Sequence, residues 1–348
     1  MKKRILTGDR PTGKLHLGHY VGSLKNRLRL QDEYIPLRPS DSADVFPHER
    51  KYEIYLLVAD LHALTTKTDT SNLKQNIKDL VLDQLSVGID PAKVTFCVQS
   101  QIPEDQELAI IFSMLVPKPR LERVPTLKEV MRDLKIETAS LGLLAYPVLQ
   151  AADILMVRAN LVPVGKDQTS HVELTREIAQ KFNSTYGKVF PLPEALVPEE
   201  IGTLPGIDGK QKMSKSLDNA IFLSDNESAV REKVMKMYTD PTRIHPTDPG
   251  HVEDNPVFIY LEAFTTSKDE KQLAEYREKY KKGEIGDIEV KEFLVKTLNE
   301  FLSPIRIRRQ ELEKQSGLVD EILDEGNKKA SAEAQNTLKL AKEAMKLP

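Results

Sequence analysis

Two short tracts far apart in the chain carry side chains suited to phosphate chemistry. His16-Leu17-Gly18-His19 places two imidazoles around a residue with no side chain, and Lys212-Met213-Ser214-Lys215-Ser216 places two ammonium groups on a loop that follows Leu204-Pro205-Gly206-Ile207-Asp208-Gly209. The phosphate chemistry they suit needs no covalent nucleophile from the protein. They offer fixed N–H donors and mobile cations, the groups that stabilise negative charge as it develops on a departing phosphate. The histidines precede a helical stretch and so lie at its positive end, where anions are favoured. Gly18 leaves room for a flat base against the backbone. A metal pair is the competing use of two histidines, but the sequence offers no third ligand nearby, so no metal ligand is assigned.

A third group has a different character. Tyr146, Gln150 and Asp153 are spaced i, i+4, i+7 and share one helix face. A carboxylate among Ala151, Ala152, Ile154 and Leu155 is costly to bury unless a donor reaches it. An indole N–H or a phenol O–H would serve, and so would a donor from the protein itself. Upstream, Gly8-Asp9-Arg10-Pro11-Thr12-Gly13-Lys14-Leu15 is nearly a P-loop. Leu15 lacks the oxygen that holds Mg²⁺ in such loops, and Pro11 removes one of the backbone N–H groups by which they work. Residues 54–60 still resemble the apolar strand ending in aspartate of P-loop enzymes, so a P-loop ATPase stays as an alternative.

These groups need a scaffold. Residues 4–7, 53–60 and 94–98 read as strands and 18–33 and 71–87 as helices, the β-α-β-α-β order of a doubly wound parallel sheet. Between 99 and 160 helical stretches replace strands, which reads as an insertion. A strand returns at 161–164, helix composition at 167–186, and a last candidate strand at 220–223. The expected organisation is an α/β, Rossmann-like unit over 1–225, with the lysine loop at 208–217, followed by an all-helical unit over 226–348. Within the latter, Ser303-Pro304 has the pattern of an N-cap and first helical residue, and Ala330, Ala334, Leu338, Ala341 and Met345 share one face. Residues 35–50 hold three prolines and several charges and read as an exposed loop.

Bulk properties exclude more than they assign. The 348 residues suit two domains, and 40% hydrophobic with 30% charged residues is ordinary for a globular protein. No apolar run of signal-peptide length follows Met1-Lys2-Lys3-Arg4, so a cytoplasmic protein off the membrane is expected. Cys97 is the only cysteine, which rules out an intramolecular disulfide. A net charge of −3 gives no general attraction to RNA, so any such contact rests on local basic groups, with Arg306, Arg308 and Arg309 as candidates.

HxGH and KMSKS in this order resemble the signature motifs of class I aminoacyl-tRNA synthetases. Tyr146-Pro147-Val148-Leu149-Gln150-Ala151-Ala152-Asp153, Val162-Pro163-Val164-Gly165-Lys166-Asp167-Gln168, Asp60-Leu61-His62-Ala63-Leu64-Thr65 and Met237-Tyr238-Thr239-Asp240-Pro241 resemble the bacterial tryptophanyl enzymes over essentially the whole chain. The resemblance implies ATP and L-tryptophan as substrates, Mg²⁺ accompanying ATP with no organic cofactor, tRNA(Trp) as acceptor, and a homodimer joined through 99–160. His16, His19, Lys212 and Lys215 would act on the phosphates. Arg10, Pro11, Thr12, Gly18, Lys128, Gly165, Lys166, Asp167, Leu204, Met213, Ser214 and Ser216 would help bind ATP. Asp153 would accept the indole N–H, with Tyr146, Gln150, His62 and Gln168 shaping the pocket.

This chain departs from its relatives at Gln150, often Met, at Lys166, often an acid, and in the longer 35–50 segment. A tyrosine-specific relative, an HxGH adenylyltransferase of cofactor synthesis and a non-catalytic tRNA-binding paralogue stand as the other readings.

Overall fold

The computed structural model describes residues 2–34, 50–197, 204–245 and 247–348; the 35–50 loop lies outside them except for Arg50. Five strands form one parallel sheet: β1 (Lys3–Asp9), β2 (Tyr52–Val58), β3 (Val94–Val98), β4 (Leu161–Pro163) and β5 (Glu194–Leu196). Their order is β3-β2-β1-β4-β5, so the winding reverses between β1 and β4. In such sheets a crevice opens at the carboxyl ends of the strands where the order reverses.

Four of these strands fall where the sequence places them, and the fifth does not. Residues 220–223 pair with the histidine turn instead of the sheet: Phe222 bridges His16, Leu17 N–H donates to Ile221 O at 2.9 Å, and Leu223 N–H donates to Leu15 O at 3.0 Å. The apolar run at 220–223 needs a partner but does not say which. The true edge, β5, has only three residues, too few for a periodic signal.

Helices flank the sheet. α1 (Leu17–His19) passes through a π-helical turn (Tyr20–Leu24) into α2 (Lys25–Gln31), α3 (Asp60–Leu64) follows β2, and α4 (Leu73–Ser86) leads to β3. The insertion holds α5 (Pro103–Ser113), α6 (Lys118–Leu121), α7 (Pro125–Asp133) and α8 (Leu141–Met156), and α9 (Thr169–Tyr186) joins β4 to β5. Every regular element described after Asn226 is a helix: α10 (Glu227–Met235), α11 (Pro256–Phe264), α12 (Glu270–Lys282), α13 (Asp287–Glu313) and α14 (Leu318–Met345). None of the described helices is long and apolar enough to cross a membrane.

Alternation along the strands builds two cores. Ile5, Ile54, Leu56 and Phe96 face one shared with α4 and the helices α10 to α13, while Leu6, Tyr55, Leu57 and Cys97 face another shared with α5, α8 and α9. Burial on both faces is why these strands read as continuous apolar runs. α14 crosses the free edge of the sheet at β3, with Val319 and Leu323 in the first core and Ala330, Ala334, Leu338 and Ala341 in the second. Asn327 Oδ1 accepts the Val98 N–H at 2.7 Å. Gly326 permits the approach, because a Cβ there would stand 1.7 Å from Phe96 O. The edge is thereby closed to stray pairing.

Ser303-Pro304 does not begin a helix. Pro304 lies inside the 27-residue α13, whose Leu298, Leu302 and Ile305 are buried around it. That packing outweighs the roughly 3 kcal/mol a mid-helix proline costs.

Candidate active site

The crevice between β1 and β4 contains a cavity of about 440 Å³. Its walls come from the end of β1, the segment after β4, α3 and α8, and they bring Tyr146, Gln150, Asp153, His62 and Gln168 together. Asp153 is 2% exposed, with Oδ2 2.8 Å from His62 Nε2 and Oδ1 accepting from Gln99 Nε2 at 2.7 Å. The carboxylate is thus bonded within the protein, and each oxygen keeps lone-pair capacity for one more donor. Tyr146 belongs to a second polar group: its hydroxyl lies 2.8 Å from Thr126 Oγ1, which lies 2.6 Å from His171 Nε2.

Thr126 and His171 line the cavity, and Gln99 holds Asp153, yet sequence reasoning assigned none of them a role. Helical spacing groups residues on one helix. It carries no information about Gln99 and His62, which lie 54 and 91 residues from Asp153.

At the other end, the histidine turn folds on itself. The His16 N–H donates to His19 Nδ1 at 3.2 Å, and the ring centroids are 3.7 Å apart. His16 is buried, and its Nδ1 has no hydrogen-bond partner. Burial, then the neighbouring His19 and the two loop lysines, hold His16 down to about 3. Burial likewise dominates at His19, where Asp9 pulls upward but Lys215 and Arg27 keep the value at about 4. Asp9 itself stays below the usual carboxylate range, because Arg27 outweighs its burial. Both imidazoles are therefore neutral near pH 7 and act as hydrogen-bonding groups without charge.

These shifts predict an acid limb in stability. Below about pH 6.5 the unfolded chain takes up two protons that the folded chain refuses until near pH 4 and pH 3. Stability is expected to fall from pH 6.5 downward, and to fall less steeply in His16→Asn and His19→Asn. Urea midpoints measured across that range check it.

The lysine loop docks on this turn. The Gly18 N–H donates to Met213 Sδ at 3.3 Å, and Lys215 Nζ donates to Gly13 O at 2.7 Å and Thr12 Oγ1 at 3.3 Å. Burial brings Lys215 down to about 8, against the pull of Asp83 and Asp9. Gly13 has φ +109°, a conformation that favours glycine, and so presents its carbonyl to the lysine. The face of Gly18 expected to receive a base is covered here by His16 Nδ1 and Met213 Cβ, 3.0 and 3.4 Å from where a Cβ would stand.

Asn219, which sequence reasoning also missed, shapes the loop. Its Oδ1 accepts the Ser214 N–H at 2.8 Å and its Nδ2 donates to Asp208 Oδ1 at 3.2 Å. The helical half anchors the stem, with Tyr238 N–H donating to Ile207 O at 2.8 Å and Tyr260 OH to Pro205 O at 2.7 Å.

The remaining expected ATP contacts are distributed unevenly. Arg10 and Gly165 line the cavity, Pro11 and Leu204 are buried beside the docked turn and loop, and Lys128, Lys166 and Lys212 are exposed outside the cavity lining. The side chains of Asp167 and Ser216 lie outside the described residues.

Of the three arginines expected to meet RNA, Arg309 is buried and Arg306 half-buried in bonds within the protein, whereas Arg308 is exposed. Arg306 donates to Asn299 Oδ1 at 2.9 Å and Asp225 O at 3.1 Å, and Arg308 donates to Ser86 O at 2.8 Å. Arg309 pairs with Asp83, with Asp79 at 2.9 Å and with Glu313 at 2.8 Å. Asp83 also accepts the Leu15 N–H at 2.6 Å, one residue before the histidine motif. A row of arginines on a helix looks the same in sequence whether its acids lie in solvent or on α4.

Residues 1–303 match the family model described as tRNA synthetases class I (W and Y). The chain is 51% identical over 347 residues to the tryptophan–tRNA ligase of Treponema pallidum, across 99% of this chain and 97% of that one. It is 47% identical to that of Chlamydia caviae, across 97% and 94% of the two chains. Its fold superposes on the tryptophanyl-tRNA synthetase of Campylobacter jejuni, solved with ADP and tryptophan, with a TM-score of 0.83 and 35% identity over 99% of this chain and 100% of that one. The fold, the docked HxGH and KMSKS tracts and these likenesses place the chain in the class I tRNA synthetase family of W and Y enzymes. Within it, the chain groups with the bacterial tryptophanyl-tRNA synthetases, which sets aside the P-loop ATPase and the cofactor-synthesis adenylyltransferase.

Proposed function

We propose that this chain is an ATP-dependent tryptophan–tRNA ligase, which forms tryptophanyl-adenylate and pyrophosphate and then transfers tryptophan to the 3′ end of tRNA(Trp). The observation that carries the reading is the docking of Met213 and Lys215 on the turn from Thr12 to Gly18, beside a cavity in which Asp153 is buried. The amino-acid carboxylate attacks the α-phosphate, and negative charge grows on the departing pyrophosphate. Lys215 and Lys212 supply cations to that charge, and the neutral His16 and His19 supply hydrogen bonds, His16 Nδ1 being without a partner inside the protein. Magnesium enters as part of the ATP substrate. The two acids near the docked turn are each held by an arginine, Asp9 by Arg27 and Asp83 by Arg309, so the chain offers phosphate ligands there more than metal ligands.

Asp153 accepts the indole N–H while His62 and Gln99 hold it in place. The cytoplasm, where ATP, tryptophan and tRNA are all supplied, is the compartment proposed for it. ATP–pyrophosphate exchange with each amino acid separately tests the assignment. Exchange with tryptophan alone is expected, and exchange with tyrosine instead would overturn it. Asp153→Asn is expected to raise the tryptophan KM about 10- to 100-fold, with the ATP KM little changed, because one buried acceptor is lost.

The catalytic unit spans 1–225 and the anticodon-reading unit 226–348, with the exposed Arg308 keeping donors for an RNA phosphate while Arg306 and Arg309 bond within the protein. A homodimer through the insertion accounts for the apolar surface there, where Ile110, Met114 and Leu141 are 60%, 75% and 80% exposed. Light scattering is expected to give twice the 39.3 kDa chain mass, and Met114→Glu combined with Leu141→Asp is expected to give the monomer.

A further inference from the structure

Behind the amino-acid pocket stands a second carboxyl group that the reaction does not use. Asp105, in the first turn of α5, is 0% exposed, and neither of its side-chain oxygens has a hydrogen-bond partner. Asp153 acts on it by charge and, once one of the pair is protonated, through a side-chain hydrogen bond, and the amide of the adjacent Gln106 donates at 3.1 Å to the carbonyl of Gln99, the residue whose side chain holds Asp153. The groups turned toward it are Asp153 from α8, the buried Cys97 thiol of β3, which burial keeps protonated, and the Gln106 amide of its own helix, which favours the charged form. Among the described residues, no lysine or arginine acts on it. Drawn as two carboxylates, the pair would set acceptor against acceptor in a site closed to water. Two such charges do not persist side by side, and one must hold a proton.

The neighbours decide which. Asp153 has two nitrogen partners, His62 Nε2 at 2.8 Å and Gln99 Nε2 at 2.7 Å, so it is the better site for the charge. Asp105 has only the Gln106 amide to favour its charge and takes the proton: burial, then the charge of Asp153, raise its pKa well above the ordinary carboxylate value in spite of that amide. The contact then becomes an O–H···O⁻ bond, a stronger interaction than a neutral pair makes.

We propose that Asp105 is a positioning residue for the amino-acid pocket: as a neutral acid it donates its O–H to Asp153 and completes, with His62 and Gln99, the three-donor cradle that aims the Asp153 carboxylate at the substrate ring. This rests on the reading that Asp153 accepts the indole N–H. A leucine at 105 keeps similar bulk and removes the donor, and an asparagine keeps a donor without an ionisable proton.

Asp105→Leu is expected to raise the tryptophan KM about tenfold in pyrophosphate exchange while kcat and the ATP KM stay within about twofold, and Asp105→Asn is expected to recover most of that loss. The infrared carbonyl band of a protonated carboxyl group is expected at neutral pH in the wild-type chain and absent from Asp105→Asn. An asparagine variant as impaired as the leucine one, a leucine variant with unchanged tryptophan KM, or no such band overturns the proposal. If Asp105→Leu fails to fold, the asparagine variant and the band decide the question. If Asp153→Asn leaves the tryptophan KM untouched, the pocket reading fails while the band still reports the proton on Asp105.

Discussion

Lys215→Ala is expected to slow formation of tryptophanyl-adenylate by about 10²- to 10³-fold, with the tryptophan KM within a few-fold of the wild-type value. The ammonium group already lies over the turn that carries the histidines, bonded to Gly13 O and Thr12 Oγ1. Burial has also prepared it, since a charge kept in a water-poor setting acts on developing charge more strongly than one in bulk solvent. Single-turnover adenylate formation reads the effect. A loss of less than fivefold would remove Lys215 from the charge-stabilising role.

The same burial sets a pH dependence. Lys215 gives up its proton near pH 8, so kcat/KM for ATP is expected to decline above that pH, and Lys215→Arg is expected to flatten the decline. Stability moves the opposite way. Between about 8 and 10.5 the unfolded chain binds a proton that the folded chain has released, so this lysine's contribution to stability rises with pH across that window.

Arg309→Ala is expected to destabilise the protein by about 3–5 kcal/mol, the largest stability effect of any single change considered, because it strands a buried acid. Asp83 is 1% exposed and is held between Arg309 and the Leu15 N–H, with Asp79 also leaning on the same guanidinium. Without the arginine, Asp83 must stay charged without its cation or take a proton and weaken its hold on the turn before His16. Arg309→Lys is expected to fall between, since one ammonium cannot satisfy three carboxylates in a fork. Adding Asp83→Asn to Arg309→Ala is expected to recover part of the loss in urea denaturation. An additive double variant would mean that the two side chains do not act on each other.

Much of this was legible in the sequence because it depends on local pattern. Continuous apolar runs located β1 to β4, and Ala330, Ala334, Leu338 and Ala341 marked the buried face of α14. Tyr146, Gln150 and Asp153 were grouped by helical spacing and do meet in one cavity with His62 and Gln168. What stayed hidden depends on distant partners. Residues 220–223 needed the histidine turn, Pro304 needed the core around α13, and Arg309 needed an acid 226 residues away. Asp105 gave no signal because one acid in a helical first turn is ordinary, and only the presence of Asp153 behind it makes it unusual.

The path of α14 also bears on how the chain is made. Its Glu333 pairs with Arg4 of the first strand and its Asn327 with Val98 of the third, so the edge of the sheet depends on a segment synthesised 229 residues after the strand it covers. At roughly 5–20 residues per second, translation leaves that edge open for on the order of tens of seconds. During that interval the nascent sheet exposes the strand edge and alanine-matched surface on which α14 later lies. A ribosome stalled before residue 318 would therefore hold a sticky, unfinished sheet, and quality control should recognise it as one.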